Sequence, residues 1–231
     1  MEPPPQWSQP GTSPVEPSML YRFVQLCLTP VLWLGLRTRV FGGHRLRRRG
    51  GVLLACNHQC ALDPFLIGTA QFRAVHFMAR DSLFLPYGIG TILRAVHAFP
   101  VRRSSADVAA MRESVRRLRA GKCLLVFAES TRTFDGRIQP CQPGAIAIAA
   151  RARVPILPMV IEGAFDLWPR QRRFPRLGPL WMEFGDPWPA EELARWDRTE
   201  AAAELTRRLR TLHNQLRRRV GRPPIPYPDA E

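Results

Sequence analysis

Three short, strongly apolar runs constrain the fold more than anything else in the chain. Residues 51–56 (Gly-Val-Leu-Leu-Ala-Cys), 123–127 (Cys-Leu-Leu-Val-Phe) and 156–161 (Ile-Leu-Pro-Met-Val-Ile) have the length of strands, and their near-continuous apolarity suits strands covered on both faces. Shorter apolar runs at residues 74–79, 98–101 and 180–184 predict further strands, with Pro100 favouring an edge position because proline cannot donate to the ladder. Helical patterns lie between them. Ser104-x-x-Asp107 predicts a capping box that opens a helix, with Val108, Met111, Val115 and Leu118 on one face and Gly121 at its end. Residues 143–151 form an alanine-rich helical stretch, and residues 199–220 carry Leu205, Leu209, Leu212 and Leu216 as one stripe opposite many arginines. Strands alternating with helices imply a single α/β domain: a largely parallel or mixed sheet flanked by helices. The 231 residues are enough for one such domain with extensions.

The N-terminal part is different. Residues 1–18 are rich in proline and predict a disordered tail. From Met19 to Leu36 the chain is apolar but broken by Arg22, Gln25 and Pro30, marginal for a span of about 20 residues and better suited to lying in a membrane interface, with Tyr21 and Trp33 near the headgroups. Arg37, Arg39, Arg45, Arg47, Arg48 and Arg49 follow. An apolar segment beside an arginine cluster predicts attachment to the cytoplasmic face of an anionic membrane, as a peripheral, monotopic or single-pass protein; the competing reading is an amphipathic helix packed on the domain. The expected division is therefore tail 1–18, membrane-associating segment 19–49 and catalytic domain 50–231.

Charge and cysteines narrow the function classes. Lysine and arginine total 34 against 19 acids, a formal charge of +15, and Lys122 is the only lysine. Arginine is the better bidentate partner for phosphate. The arginines are scattered between apolar runs with no nucleic-acid-binding motif, which sets a nucleic-acid partner aside. The five cysteines make no secreted-type framework, and Cys56-x-His58-x-Cys60 lacks a second Cys/His group at zinc-like spacing, so no metal is expected.

Two stretches carry chemistry. The first is Asn57-His58-Gln59-Cys60-Ala61-Leu62-Asp63-Pro64, which leaves the strand at residues 51–56 and enters a new element where aspartate is a favoured N-cap and proline suits the first turn. Such a turn can bring the Asp63 carboxylate to the His58 imidazole, fixing its tautomer and leaving the second nitrogen free to take a proton; alternatively Asp63 only caps the helix. The second is Ala128-Glu129-Ser130-Thr131-Arg132-Thr133, at the carboxyl end of a buried strand, where α/β folds place ligands. Arg132 is its candidate phosphate clamp.

Together the two stretches resemble the glycerophosphate and lysophospholipid acyltransferase family. Asn57, His58 and Asp63 match its N-H-x4-D block, and Ala79-Arg80-Asp81-Ser82-Leu83-Phe84 with Val101-Arg102-Arg103 is similar to its second block, putting basic residues at Arg80 and Arg103. Phe127-Ala128-Glu129-Ser130-Thr131-Arg132 is similar to F-P-E-G-T-R, and Val154-Pro155-Ile156-Leu157-Pro158-Met159-Val160 matches the fourth block. Ala128 and Ser130 depart from the usual proline and glycine, and Gln142 stands where lysine is common. A serine at a position needing φ > 0 costs on the order of 1 kcal/mol. The resemblance implies acyl transfer to 1-acyl-sn-glycerol 3-phosphate from acyl-CoA or acyl carrier protein, the donor being a substrate and no cofactor being required. It assigns His58 as base, Asp63 as its partner, and Arg132 with Arg103 and Arg80 to the acceptor phosphate; Ser130 and Thr131 lie in the same binding loop, and Glu129 orients either the glycerol or Arg132. Another acceptor, such as lyso-ornithine lipid, is the alternative. A silent membrane-binding protein would keep the fold without needing His58 and Asp63 at this spacing.

Overall fold

The computed structural model describes residues 19–47, 49–71, 73–85, 88–102 and 107–227. Its strands are β1 (Arg39–Phe41), β2 (Val52–Cys56), β3 (Val75–Arg80), β4 (Ala98–Val101), β5 (Cys123–Phe127), β6 (Ile156–Glu162) and β7 (Trp181–Phe184). They form one mixed sheet in the order β1-β7-β6-β2-β5-β3-β4. The five strands from β6 to β4 are parallel, whereas β7 runs antiparallel to β6 and β1 parallel to β7. The central β2 is buried along its whole length, and alternate residues face opposite cores: Leu54 and Cys56 one, Leu53 and Ala55 the other. That two-sided burial explains why the run shows no polar alternation. Pro100 sits in β4, an edge strand, as its missing N–H requires.

Helices cover both faces. On one side lie α1 (Met19–Pro30) and α2 (Asp63–Thr69), packed through Tyr21, Leu66 and Ile67; short α3 (Ile89–Ala95) and α6 (Ala164–Leu167) complete this layer. On the other lie α4 (Val108–Arg119), α5 (Pro143–Ala152), α7 (Ala190–Leu193) and α8 (Arg198–Arg219). The α8 stripe Leu205, Leu209, Leu212 and Leu216 is buried, at roughly 25 cal/mol per Å² of apolar surface removed from water.

Three expectations are corrected. Helix α4 is capped by Asp107, whose carboxylate accepts from Ala110 N at 2.9 Å; Asp107 is thus the cap and not the third helical residue, and Ser104 lies outside the described residues. Val108 is exposed, because the buried face of α4 runs through Ala110, Ser114 and Leu118. The proposed division at residue 50 cuts the sheet, since Arg39–Phe41 pairs with β7. Arg45, in the same cluster, faces the fold: it donates to Phe184 O at 3.1 Å and pairs with Asp186 at 2.8 Å. No described helix is long and apolar enough to cross a membrane.

The register sets up the site. Cys56 is level with both Phe127 and Met159, so the loops after β2, β5 and β6 leave the same sheet edge side by side. Carboxyl edges of parallel strands are where α/β proteins bind ligands.

Candidate active site

The β2 loop is fixed at its first residue. Asn57 imitates a strand partner: its Oδ1 accepts from Ile161 N at 2.8 Å and its Nδ2 donates to Ile161 O at 3.0 Å, tying the β2 exit to β6. His58 follows, its Nδ1 2.8 Å from Asp63 Oδ2. The same oxygen accepts from the backbone N–H of Gln59 at 2.6 Å and of Cys60 at 2.9 Å, and the Cys60 thiol donates to Oδ1 at 3.1 Å. Asp63 is fully buried, and these donors replace the water it has lost. The N-cap of α2 is Leu62, without a side-chain bond, and Asp63 belongs to the first turn. The carboxylate therefore turns back onto the loop, which corrects the expectation of a helix-capping Asp63.

Because the carboxylate accepts, Nδ1 carries the proton and Nε2 presents its lone pair. Nε2 has no partner among the described residues and is not among the buried unpartnered atoms, so it opens outward. The Phe127 ring lies 3.8 Å from the imidazole at 12°, fixing its plane. Burial and the nearby Asp63 carboxylate push the Cys56 and Cys60 thiols up, which keeps both protonated and removes them as nucleophiles. The arrangement is a base held by its orienter, aimed at a hydroxyl supplied from outside.

The β5 loop closes beside it. Glu129 Oε1 accepts from His58 N at 2.9 Å and Oε2 from Gln139 N at 2.8 Å, while Thr133 N donates to His58 O at 2.8 Å. Burial outweighs those bonds and pushes the Glu129 carboxyl up to about 7. Glu129 thus ties two loops, and neither expected role for it, orienting glycerol or Arg132, describes its contacts. Ser130 has φ +59°, the left-handed conformation for which glycine is the usual residue. Ser130 is exposed, and Thr131 and Arg132 are half-buried in the same turn. Arg80 ends β3 on the same sheet edge and is exposed; Arg103 lies outside the described residues.

The structure therefore brings His58, Asp63 and Glu129 into contact. It also adds Gln59, Phe127 and Gln139, which the sequence did not single out. Phe127 carried a strand signal and a place in the third block but no role of its own, and Gln139 sits ten residues from Glu129 with no motif of its own.

Comparisons with known proteins bear on the family and the fold. Residues 37–162 match the family model described as Acyltransferase. The chain is 26% identical over 202 residues to 1-acyl-sn-glycerol-3-phosphate acyltransferase of Bacillus subtilis, covering 85% of this chain and 98% of that protein. It is 27% identical over 186 residues to the human 1-acyl-sn-glycerol-3-phosphate acyltransferase beta, covering 79% and 64%. The fold is similar to the crystal structure of the 1-acyl-sn-glycerophosphate (LPA) acyltransferase, PlsC, from Thermotoga maritima, with a TM-score of 0.68 at 22% identity, over 87% of this chain and 77% of that one.

Proposed function

Because this chain belongs to the acyltransferase family, we propose that it moves a fatty acyl group from acyl-CoA, or from acyl carrier protein, to the free hydroxyl of 1-acyl-sn-glycerol 3-phosphate. The observation that carries this reading is the 2.8 Å pair of His58 Nδ1 with buried Asp63, which leaves Nε2 open at the carboxyl edge. Nε2 takes the hydroxyl proton as the acceptor oxygen attacks the thioester carbonyl. The tetrahedral intermediate collapses by breaking the carbon–sulfur bond, and the imidazolium returns its proton to the leaving thiolate. Asp63 stabilises the imidazolium between these steps.

Arg132 holds the acceptor phosphate, with Arg103 and Arg80 contributing charge around it. The anionic membrane face delivers the acceptor. Met19, Phe23, Leu26, Trp33 and Leu34 are exposed apolar side chains in or just after α1, and Arg37 and Arg39 are exposed beside them, a combination suited to an interfacial segment on the cytoplasmic face.

The test is an acceptor panel: 1-acylglycerol 3-phosphate, lyso-ornithine lipid and a phosphate-free lysolipid, each with one long-chain acyl-CoA and then acyl carrier protein, products read by mass spectrometry. Transfer confined to the phosphate-bearing acceptor is the expected result. Equal transfer to phosphate-free acceptors contradicts the phosphate clamp, and transfer only to the ornithine lipid replaces the acceptor.

A further inference from the structure

We propose that Tyr227, in the segment after α8, is a positioning residue for His58, closing a ring of hydrogen bonds that holds His58 and Gln59 from two sides. The inference rests on the reading of His58 as base.

One arm runs through the β5 loop. Tyr227 Oη accepts from Ile138 N at 3.0 Å; the next amide, Gln139 N, donates to Glu129, and Glu129 accepts from His58 N. The other arm runs through α8 and β6. Tyr227 Oη is 3.1 Å from His213 Nδ1, and His213 Nε2 is 2.7 Å from Glu162 Oε2. Glu162 accepts from Gln59 Nε2 at 3.5 Å, the longest link, and Gln59 Oε1 accepts from Phe165 N at 3.1 Å. Gln59 N then donates to Asp63. The two arms end on consecutive residues of the loop that carries the base.

The donor directions are consistent around the ring. Arg217 and Arg222 both bind Glu162 Oε1, and with His213 they hold its carboxyl down at about 2, so it is an acceptor throughout. His213 Nε2 must then donate; Nδ1 meets the tyrosine hydroxyl as acceptor in the neutral ring and as donor in the protonated one, and Oη accepts from Ile138 in either case. Tyr227 is 7% exposed, His213 0%, Glu162 2% and Gln59 2%, so the far side of the ring is held by protein groups.

Attachment of the segment does not depend on the hydroxyl. Asn214 pairs with the backbone of Ile225 in both directions at 2.9 and 2.8 Å, Arg217 Nε donates to Pro223 O at 2.7 Å, and Arg210 stacks over the Tyr227 ring at 5.0 Å. Tyr227→Phe therefore removes only the closing group.

The experiment uses the full chain with Tyr227→Phe and, as a control for general destabilisation, Leu193→Ala, whose buried side chain lies in α7 and makes none of the ring's hydrogen bonds. Amide hydrogen exchange at residues 57–63 and 138–139 is the first readout, because it needs no substrate. Steady-state kinetics with acyl-CoA and 1-acylglycerol 3-phosphate is the second. For Tyr227→Phe, exchange of the His58 and Gln139 amides accelerates about tenfold while the amides of β2 and β5 are unchanged. kcat falls about tenfold with KM within about twofold, since a misplaced base slows chemistry more than binding. Leu193→Ala moves neither readout at temperatures well below its Tm. Unchanged exchange at 57–63, or a kcat loss that Leu193→Ala reproduces at equal Tm, overturns the proposal. If the wild type turns over no acceptor, the functional reading fails and the exchange pattern alone decides the ring. Should Tyr227→Phe not fold, Gln59→Met opens the ring at its other end, with the same expectations.

Discussion

Asp63 serves three partners at once, and each can be separated by substitution. Asp63→Asn keeps an oxygen for the Gln59 and Cys60 amides but removes the charge that favours the imidazolium, so kcat drops by at least about 100-fold with little loss of stability. Asp63→Ala also strands two buried N–H groups and costs about 2–5 kcal/mol, measured by denaturant unfolding. The pairing of His58 with Asp63 was legible from their spacing, but not the direction of the carboxylate: a residue before proline at a helix start reads as a cap. Glu129 gives a pH signature. Its carboxyl is raised from 4.5 to about 7, so the folded state binds its proton more tightly than the unfolded state does. The resulting stability is full below the unfolded value and is lost as pH rises through about 7, on the order of 3 kcal/mol in all. Unfolding free energies at pH 5 and pH 8 show that decline in the wild type and a flatter profile in Glu129→Gln. At Arg132, replacement by alanine raises the acceptor KM, with a cost of about 2–4 kcal/mol in kcat/KM, and Arg132→Lys restores part of it.

At the scale of elements, the strands that were easiest to read are those buried on both faces. β2, β5 and β6 each present an unbroken apolar run, and no helical period competes with it. β1 was hidden for the opposite reason: three residues, Arg39 to Phe41, lie among arginines at a sheet edge and owe their conformation to β7. The ring through Glu129, His213, Glu162 and Tyr227 was equally invisible, since its partners lie far apart in sequence and no periodic pattern connects them. The β5 turn is a local exception. The glycine-like position is occupied by Ser130 at φ +59°, and a serine pays a modest strain there. Ser130→Val, which adds a β-branch to the same conformation, lowers stability by about 1–2 kcal/mol, whereas Ser130→Gly leaves it unchanged or slightly higher; thermal unfolding of the two variants checks this.

For the whole molecule, the central question is how a chain of net charge +15 meets a lipid substrate. Helix α1 is part of the fold as well as the candidate anchor: Tyr21 is buried and donates to Gly68 O, and Gln25 donates to Gln71 O at 2.5 Å. Removing the segment would open the core, so surface substitutions are the better probe. Replacing exposed Phe23, Leu26 and Leu34 together by serine weakens co-sedimentation with anionic vesicles by at least about tenfold while Tm changes by only a few degrees. Unaltered vesicle binding would remove α1 as the anchor. Catalysis is tested most directly by one comparison: the rate at which purified wild type and His58→Ala convert 1-acylglycerol 3-phosphate and acyl-CoA to diacylated product, quantified by mass spectrometry. If His58 is the base, the wild type forms product and His58→Ala forms it roughly 10²–10⁴-fold more slowly, with vesicle binding intact. Equal rates in the two proteins, with host acyltransferase excluded, would contradict the assignment.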